Sequence, residues 1–437
     1  MSASLSPEIE PRSSRLPVVV CFIILVLEGY DLAMFGTIAP SLLDYVSWQM
    51  TASEIGVIGS ASGIGLVIGA FSAAFLVDRF GRKSVLLTST AIFSGGMLVS
   101  SMAPTPLIMG LGRVLTGLGA GTVMPAAVAM LIEFSPTEHR QRTASNSFIG
   151  VGFGGIAAGL LSAWLLPISN FRAMFAIGTV ALLIVPVLIK IFPESPAFLM
   201  SIGDEVRARE IASRYGITDL EIRDVQKGQH NSACDRLRQI FSGKRLVVTV
   251  LFWLVMILVQ TTATLSGYWI PVLMRSGGYS FGSALLMVTV LYTGFILGTL
   301  VTARIADCVG SRKVIVSGLL IAAASYILLS FRLDIWAGFL LVALIGMGGP
   351  AMQTLTNTFV ASYYPASLRG TGIGMAVGVG RVGAILGPLY GGAIAAGLPV
   401  TAQFYAFGIP AAAAALVMSM APLSTRHHSA NTRTQST

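Results

Sequence analysis

The chain has 437 residues, and 11% of them are charged, against about 25% in an average soluble domain. Hydrophobic residues make up 54%, the mean hydropathy is +0.79, and the formal net charge is +9. This number of charged residues is too small to cover the surface of a soluble protein. The composition therefore predicts a polytopic membrane protein. The basic excess does not indicate nucleic-acid binding, because the sequence has no basic stripe with interleaved aromatic residues.

Twelve apolar segments follow one another along the chain, and each is close to the roughly 20 residues that cross a bilayer. They predict an all-α polytopic protein with 12 transmembrane helices in two six-helix repeats. The first apolar run is too long for a signal peptide and is expected to remain as a span. The predicted spans are 16–40, 56–77, 84–102, 107–133, 145–166, 172–192, 246–271, 283–303, 314–331, 336–360, 370–394 and 401–421.

A polar stretch between the sixth and seventh spans divides the chain into two halves. It mixes acidic and basic residues as a soluble surface does, and residues 204–216 have the pattern of a short amphipathic helix. We therefore expect an N-terminal tail at 1–15, a six-helix half at 16–192 and a central loop at 193–245. A second six-helix half at 246–421 and a C-terminal tail at 422–437 complete the predicted organisation.

Lysine and arginine are distributed unequally between the short loops on the two sides of the predicted bundle. If the N-terminus is inside, nine lie in inside loops and three in outside loops, which predicts cytoplasmic tails and a cytoplasmic central loop. The inside residues are Arg79, Arg82, Lys83, Arg140, Arg142, Arg304, Arg312, Lys313 and Arg369, and the outside ones are Arg172, Arg275 and Arg332.

Two loop motifs recur at a constant offset of 229 residues. The sequence DRFGRK at 78–83 follows the second span, and its weaker copy DCVGSRK at 307–313 follows the eighth. Pro136 and Arg140 follow the fourth span, and Pro365 and Arg369 follow the tenth at the same offset. Two motifs with one offset predict that the halves are parallel repeats, with a substrate site between them near the midplane.

We interpret these loops as gating elements at the cytoplasmic ends of the helices. A carboxylate there can bond to the N-terminus of a neighbouring helix and be released when the two halves rock. The predicted gating set is Asp78, Arg79, Gly81, Arg82, Lys83, Glu133, Arg140, Asp307, Gly310, Arg312 and Arg369.

Once the charges in loops and near helix ends are set aside, four ionisable residues remain inside the predicted spans, namely Glu28, Asp31, Arg113 and Arg381. An intramembrane charge is costly and indicates function by default. Glu28 and Asp31 share one helix face, and two carboxylates in a low dielectric cannot both ionise cheaply, so we predict proton coupling there. The two arginines predict a clamp for an anion. Alternatively, each arginine neutralises one of the acids, and both hypotheses can hold in turn if protonation frees an arginine.

Uncharged polar side chains in the spans are further candidates for lining the site, although each could instead bond only to neighbouring helices. The candidates are Tyr30, Gln260, Tyr268, Trp269, Gln353 and Asn357. Tyr268 and Trp269 could also anchor a helix end at the membrane interface. The glycine runs at 117–121 and 150–155 lie within apolar helices with no preceding strand, so they predict helix packing rather than nucleotide binding. The cysteines and histidines form no metal-ligand cluster, and we expect no cofactor.

These motifs give the sequence a family resemblance. VDRFGRK at 77–83 resembles the signature of the major facilitator superfamily, with Ala74 and Ala303 in place of the usual glycine four residues before the aspartate. PESPAFL at 193–199 closes the sixth span as in the sugar and organic-acid branches.

A narrower resemblance is to the aromatic acid:proton symporters. EGYD at 28–31 is similar to the Asp-Gly-Phe/Tyr-Asp motif of that family's first helix. GRVLTG at 112–117, GYWIP at 267–271, YP at 364–365 with RGTG at 369–372, and GRVG at 380–383 also agree. Glu28 departs from the family's aspartate by one methylene.

The resemblance implies the major facilitator fold and import of a small aromatic carboxylate, such as benzoate, hydroxybenzoate or gentisate, by proton symport and alternating access. It ties Glu28 and Asp31 to coupling, and Arg113 and Arg381 to substrate. It also implies a monomer in the cell membrane, driven by the proton gradient, with no nucleic-acid partner. The alternatives are a carrier of a non-aromatic organic acid or sugar acid, a drug or metabolite exporter, and a sensor. A membrane enzyme is disfavoured, because the sequence shows no nucleophile–base set.

Overall fold

The computed structural model describes residues 15–135, 140–215, 217 and 238–422, and every regular element in those ranges is an α-helix. The first half contains α1 (Arg15–Leu43), α2 (Ala52–Phe80), α3 (Arg82–Ser101), α4 (Pro106–Glu133), α5 (Arg140–Leu165), α6 (Phe171–Gly178) and α7 (Val180–Ile191). The central segment contains α8 (Pro196–Ser201) and α9 (Glu205–Tyr215). The second half contains α10 (Lys244–Ser276), α11 (Phe281–Val309), α12 (Ser311–Leu329), α13 (Ile335–Gly348), α14 (Pro350–Tyr363), α15 (Ala366–Gly380), α16 (Val382–Gly397) and α17 (Val400–Met420).

Each of the 12 predicted spans coincides with a helix or a pair of helices. In the described part of the chain, 11 segments are long and apolar enough to cross a membrane. The twelfth is α5, in which the described apolar segment is Ile149–Leu165. It packs against α1 and α11 within the bundle. The amphipathic helix predicted at 204–216 is α9; the tails and residues 218–237 lie outside the described residues.

Three predicted spans are interrupted rather than continuous: the sixth (α6 and α7), the tenth (α13 and α14) and the eleventh (α15 and α16). In the tenth, Pro350 has no N–H to donate, and the preceding Gly349 leaves the helical region with φ −102° and ψ −87°. In the eleventh, the Arg381 N–H is shared between the carbonyls of Val377 and Gly378, each at 3.2 Å. The interruption of the eleventh span therefore places a charged residue, Arg381, between α15 and α16.

Glycines allow α4 to pack closely between α2 and α3. A Cβ on Gly117 would collide with the Ser62 carbonyl of α2, and a Cβ on Gly119 would collide with the backbone of Ser89 and Phe93 in α3. The prediction that this glycine run serves helix packing is therefore confirmed.

The two halves meet through α1 against α10, α2 against α16, and α5 against α11. At the face where α1 and α10 end, Arg275 Nη1 pairs with Asp44 Oδ2 at 2.5 Å and also donates to the Pro40 carbonyl at 3.3 Å. At the opposite face, Asp78 and Asp307 are exposed, and no ion pair between described residues joins the halves there. In the described part of the chain, an ion pair therefore joins the two halves at the face where α1 and α10 end.

Replacing Gly117 by alanine is expected to lower the stability of the first half by about 1–3 kcal/mol, because the added methyl group overpacks the contact with Ser62. Gly95→Ala is the matched control, since a Cβ there meets nothing within 4 Å. Thermal unfolding in detergent measures both variants. Equal melting temperatures for the two would contradict the packing account.

Candidate functional site

A cavity of about 170 Å³ lies between the two halves. Glu28, Leu66 and Gln260 line it, and each lies at or next to the midpoint of its helix. The cavity is therefore halfway along the spans, where the repeat argument placed it. Six predicted residues line it: Glu28, Gln260, Tyr268, Gln353, Asn357 and Arg381.

Arg113 is fully buried beside the cavity, and its guanidinium pairs with Asp31 of α1. Its Nη2 donates to Ser62 Oγ and to the Tyr268 hydroxyl, each at 3.0 Å. Its guanidinium carbon lies 4.8 Å from the centroid of the Phe35 ring. In this conformation Arg113 neutralises Asp31, which is the alternative that the sequence left open. Because Tyr268 belongs to the second half, the network crosses the interface.

Glu28 lies on the same helix face as Asp31 but has different surroundings. Its side chain is buried and lines the cavity, and neither carboxylate oxygen accepts a hydrogen bond from a described residue. The two acids of α1 are therefore not equivalent, since Asp31 is paired and Glu28 is not. An unpaired carboxyl group in this position is free to gain and lose a proton.

Arg381 faces the cavity from the break between α15 and α16. Within the described ranges its guanidinium makes one hydrogen-bonding contact, from Nη2 to Met124 Sδ at 3.6 Å, and forms no ion pair. Arg381 and Glu28 both line the cavity, one from each half. A planar cation without a carboxylate partner can bind the carboxylate of a ligand through two parallel hydrogen bonds.

The wall formed by the second half is amide-rich and aromatic. Gln353 Nε2 donates to Gln260 Oε1, whereas Asn357, one turn further along α14, has no hydrogen-bond partner for its buried Oδ1 among the described residues. Tyr292 and Phe295 of α11 also line the cavity, and the sequence analysis missed both. The reasoning that singled out Tyr268, an aromatic ring with a polar tip inside a span, applies equally to Tyr292.

Tyr30 and Trp269 are not among the described residues that line the cavity, so their contact with substrate stays a prediction. The Tyr30 hydroxyl donates to the Met174 carbonyl of α6 at 2.7 Å. Trp269 Nε1 donates to the Pro388 carbonyl of α16 at 3.1 Å. Each sits one or two residues from a cavity-lining residue of its helix and so points in another direction. Both side chains hold helices together.

In the first half, the predicted gating residues join the end of α4 to α8. Glu133 pairs with Arg82 and accepts hydrogen bonds from the Ser195 hydroxyl and from the Ala197 N–H at 2.6 Å. The Lys83 N–H donates to Glu194 Oε1 at 2.9 Å. Glu194 and Ser195 were not singled out from the sequence.

In the second half, the equivalent residues make other contacts. Arg312 Nη1 donates to the Ala421 carbonyl at 2.8 Å, and Arg369 is half-buried with its Nε unpartnered among the described residues. Gly81 and Gly310 immediately precede α3 and α12 and have φ of +84° and +97°, a region that favours glycine. Arg79 is exposed, as are the two aspartates of these loops, and the Arg140 side chain lies outside the described residues. The gating role stays a prediction.

Two six-helix halves around a central cavity, with charged residues from both halves facing it, define the architecture of a secondary transporter. The family model of the Major Facilitator Superfamily matches residues 21–290 and 252–436, and the chain belongs to that superfamily.

The curated relatives agree with the narrower resemblance. The chain is 33% identical to a gallate transporter of Pseudomonas putida, over 92% of this chain and 90% of that protein. It is 31% identical to a gentisate transporter of Corynebacterium glutamicum, over 92% and 86% respectively. Among solved structures, it resembles the inward open conformation of the xylose transporter XylE from E. coli, with a TM-score of 0.74 and 18% identity over 93% of this chain and 96% of that one. This last likeness shows the fold.

Removing either partner of the Asp31–Arg113 pair is expected to destabilise the protein by about 3–5 kcal/mol, because an uncompensated charge is left buried. The double variant Asp31→Asn/Arg113→Gln should recover part of this loss. Asp44→Asn, which breaks the more exposed pair with Arg275, is the control and should cost about 1 kcal/mol or less. Unfolding of the purified variants measures these differences, and an additive double variant would contradict the pairing.

Proposed function

We propose that the protein is a secondary active transporter that imports a small aromatic carboxylate together with a proton by alternating access. The observation that carries this proposal is the guanidinium of Arg381, which faces a cavity at the midpoint of the bundle and forms no ion pair with a described residue. The gallate and gentisate transporters among the relatives, and a benzoate transport protein of Acinetobacter baylyi at 28% identity, support the aromatic class of substrate.

Arg381 would bind the carboxylate of the substrate, and the aromatic side chains of the cavity would contact the ring. The face of Tyr268, Tyr292 or Phe295 can stack on an aromatic ring or meet its edge. Arg113 would act indirectly, since its Nη1 and Nη2 groups are already used by Asp31, Ser62 and Tyr268 and its side chain does not line the cavity.

Glu28 would carry the proton, and Asp31 would remain paired with Arg113. In the empty carrier, Arg381 presents its positive charge to the same cavity as Glu28. A substrate carboxylate bound to Arg381 brings a second negative charge into the same low-dielectric cavity, so Glu28 must take up a proton. Substrate and proton are thereby bound together, and the release of one favours the release of the other.

The excess of lysine and arginine in the loops on one side supports cytoplasmic tails. With that orientation, the face where Asp44 pairs with Arg275 is the external one. Rocking of the halves would break this contact and expose the cavity to the outside. We place the protein in the cell membrane, the inner membrane in a Gram-negative cell, as a monomer driven by the proton gradient without a cofactor or enzymatic activity.

Uptake into proteoliposomes under an inward proton gradient tests this function. Labelled gallate, gentisate and benzoate are offered, and at least one should accumulate. Arg381→Ala should weaken substrate binding by about 10- to 150-fold, as expected when hydrogen bonds to a charged group are lost. Arg304→Ala, at an exposed arginine of α11, should transport normally. Uptake of aliphatic acids alone, or equal activity of the two variants, would refute the proposal.

Glu28→Gln is expected to separate binding from coupling. The variant should still exchange external for internal substrate, because Arg381 is intact, but it should no longer accumulate substrate in response to a pH gradient. Glu54→Gln, at an exposed carboxylate that caps α2, is the control and should do both. Accumulation by the Glu28 variant with normal proton dependence would show that the proton is carried elsewhere.

A further inference from the structure

The cavity contains a buried amide that nothing in the described protein satisfies. Asn357 lines the cavity from α14, and its Oδ1 is closed to solvent and accepts no hydrogen bond from a described residue. Its neighbour one turn earlier, Gln353, is already paired with Gln260. A buried, unpaired amide is costly, and it indicates a group that is completed by a ligand.

The orientation of this amide does not change the conclusion. Turning it over would place the NH2 group where Oδ1 now lies, and a cavity ligand that accepts a hydrogen bond could then satisfy it. A hydroxyl group both donates and accepts a hydrogen bond and therefore fits either orientation. An unsubstituted ring edge fits neither.

A second polar group faces the same space. The Tyr292 side chain lines the cavity, and its hydroxyl makes no hydrogen bond with a described residue. Arg381 faces the cavity from the break between α15 and α16, whereas Asn357 and Tyr292 face it from α14 and α11. A ligand that spans the cavity between these helices can therefore present its carboxylate to Arg381 and another part of its ring to Asn357.

We infer that the transported acid carries a hydroxyl group on its ring, which Asn357 receives, so that an unsubstituted aromatic acid is a poor substrate. This inference rests on the proposed function and narrows its substrate class from aromatic acids to phenolic acids. Asn357 is then a specificity-determining residue, distinct from the arginine that binds the carboxylate.

The test compares benzoate with 2-, 3- and 4-hydroxybenzoate, as kcat/KM for uptake into proteoliposomes. In the unaltered protein, at least one hydroxybenzoate should be preferred over benzoate by about tenfold or more, the expected effect of leaving a buried amide unpaired. Asn357→Leu keeps the approximate shape of the side chain and should bring this ratio towards one, mainly by reducing transport of the hydroxylated acid.

Thr264→Val is the matched control. Thr264 also lines the cavity, but its hydroxyl already donates to the carbonyls of Gln260 at 2.9 Å and Gly383 at 3.1 Å, so its loss should leave the ratio unchanged.

Equal transport of benzoate and all three isomers by the unaltered protein would overturn the inference, as would an unchanged ratio in Asn357→Leu. If that variant does not insert, the ratio in the unaltered protein decides. Transport of benzoate alone would leave the proposed function standing and remove the inference. Failure to transport any aromatic acid would remove both.

Discussion

The buried pair of Asp31 and Arg113 is the interaction on which the arrangement of the site depends. A charge within the membrane is costly unless it is matched, and here the match joins α1 to α4 and extends through Tyr268 to the other half. Because Asp31 points at Arg113, the face of α1 one turn earlier is directed at the cavity, where Glu28 is left unpaired. Asp31 thus fixes the orientation of α1, and Glu28 is available to bind a proton.

The two halves share a backbone plan but divide the charges unequally. At the offset of 229 residues, Asp31 corresponds to Gln260 but Arg113 corresponds to Val342, so the ion pair of α1 and α4 is not repeated in the second half. Gln260 instead makes a neutral contact with Gln353 of α14. The unpaired carboxyl group, Glu28, belongs to the first half, and the unpaired guanidinium of Arg381 belongs to the second. Rocking of the halves would therefore alter the very interaction on which coupling depends.

The sequence predicted the parts of this structure that follow from hydropathy and from short motifs. Apolar length located the spans, the offset between motifs located the repeat, and elimination found Glu28, Asp31, Arg113 and Arg381. Pairing could not be predicted, because Asp31 and Arg113 are 82 positions apart and either acid could have met either arginine. The direction of each side chain could not be predicted either. Tyr30 and Trp269 lie one or two positions from residues that line the cavity, and only the rotation about the helix axis directs them elsewhere. The boundary between α15 and α16 at Arg381 was not predicted either, because hydropathy does not report backbone geometry.

The central claim is that the substrate carboxylate and Glu28 cannot both be charged beside Arg381. The most direct measurement is the number of protons taken up when substrate binds to the purified protein in weakly buffered, mildly alkaline solution. The account predicts one proton taken up for each substrate bound, and none in the Glu28→Gln variant with binding retained. Binding without proton uptake in the unaltered protein, or undiminished uptake in the variant, would contradict it.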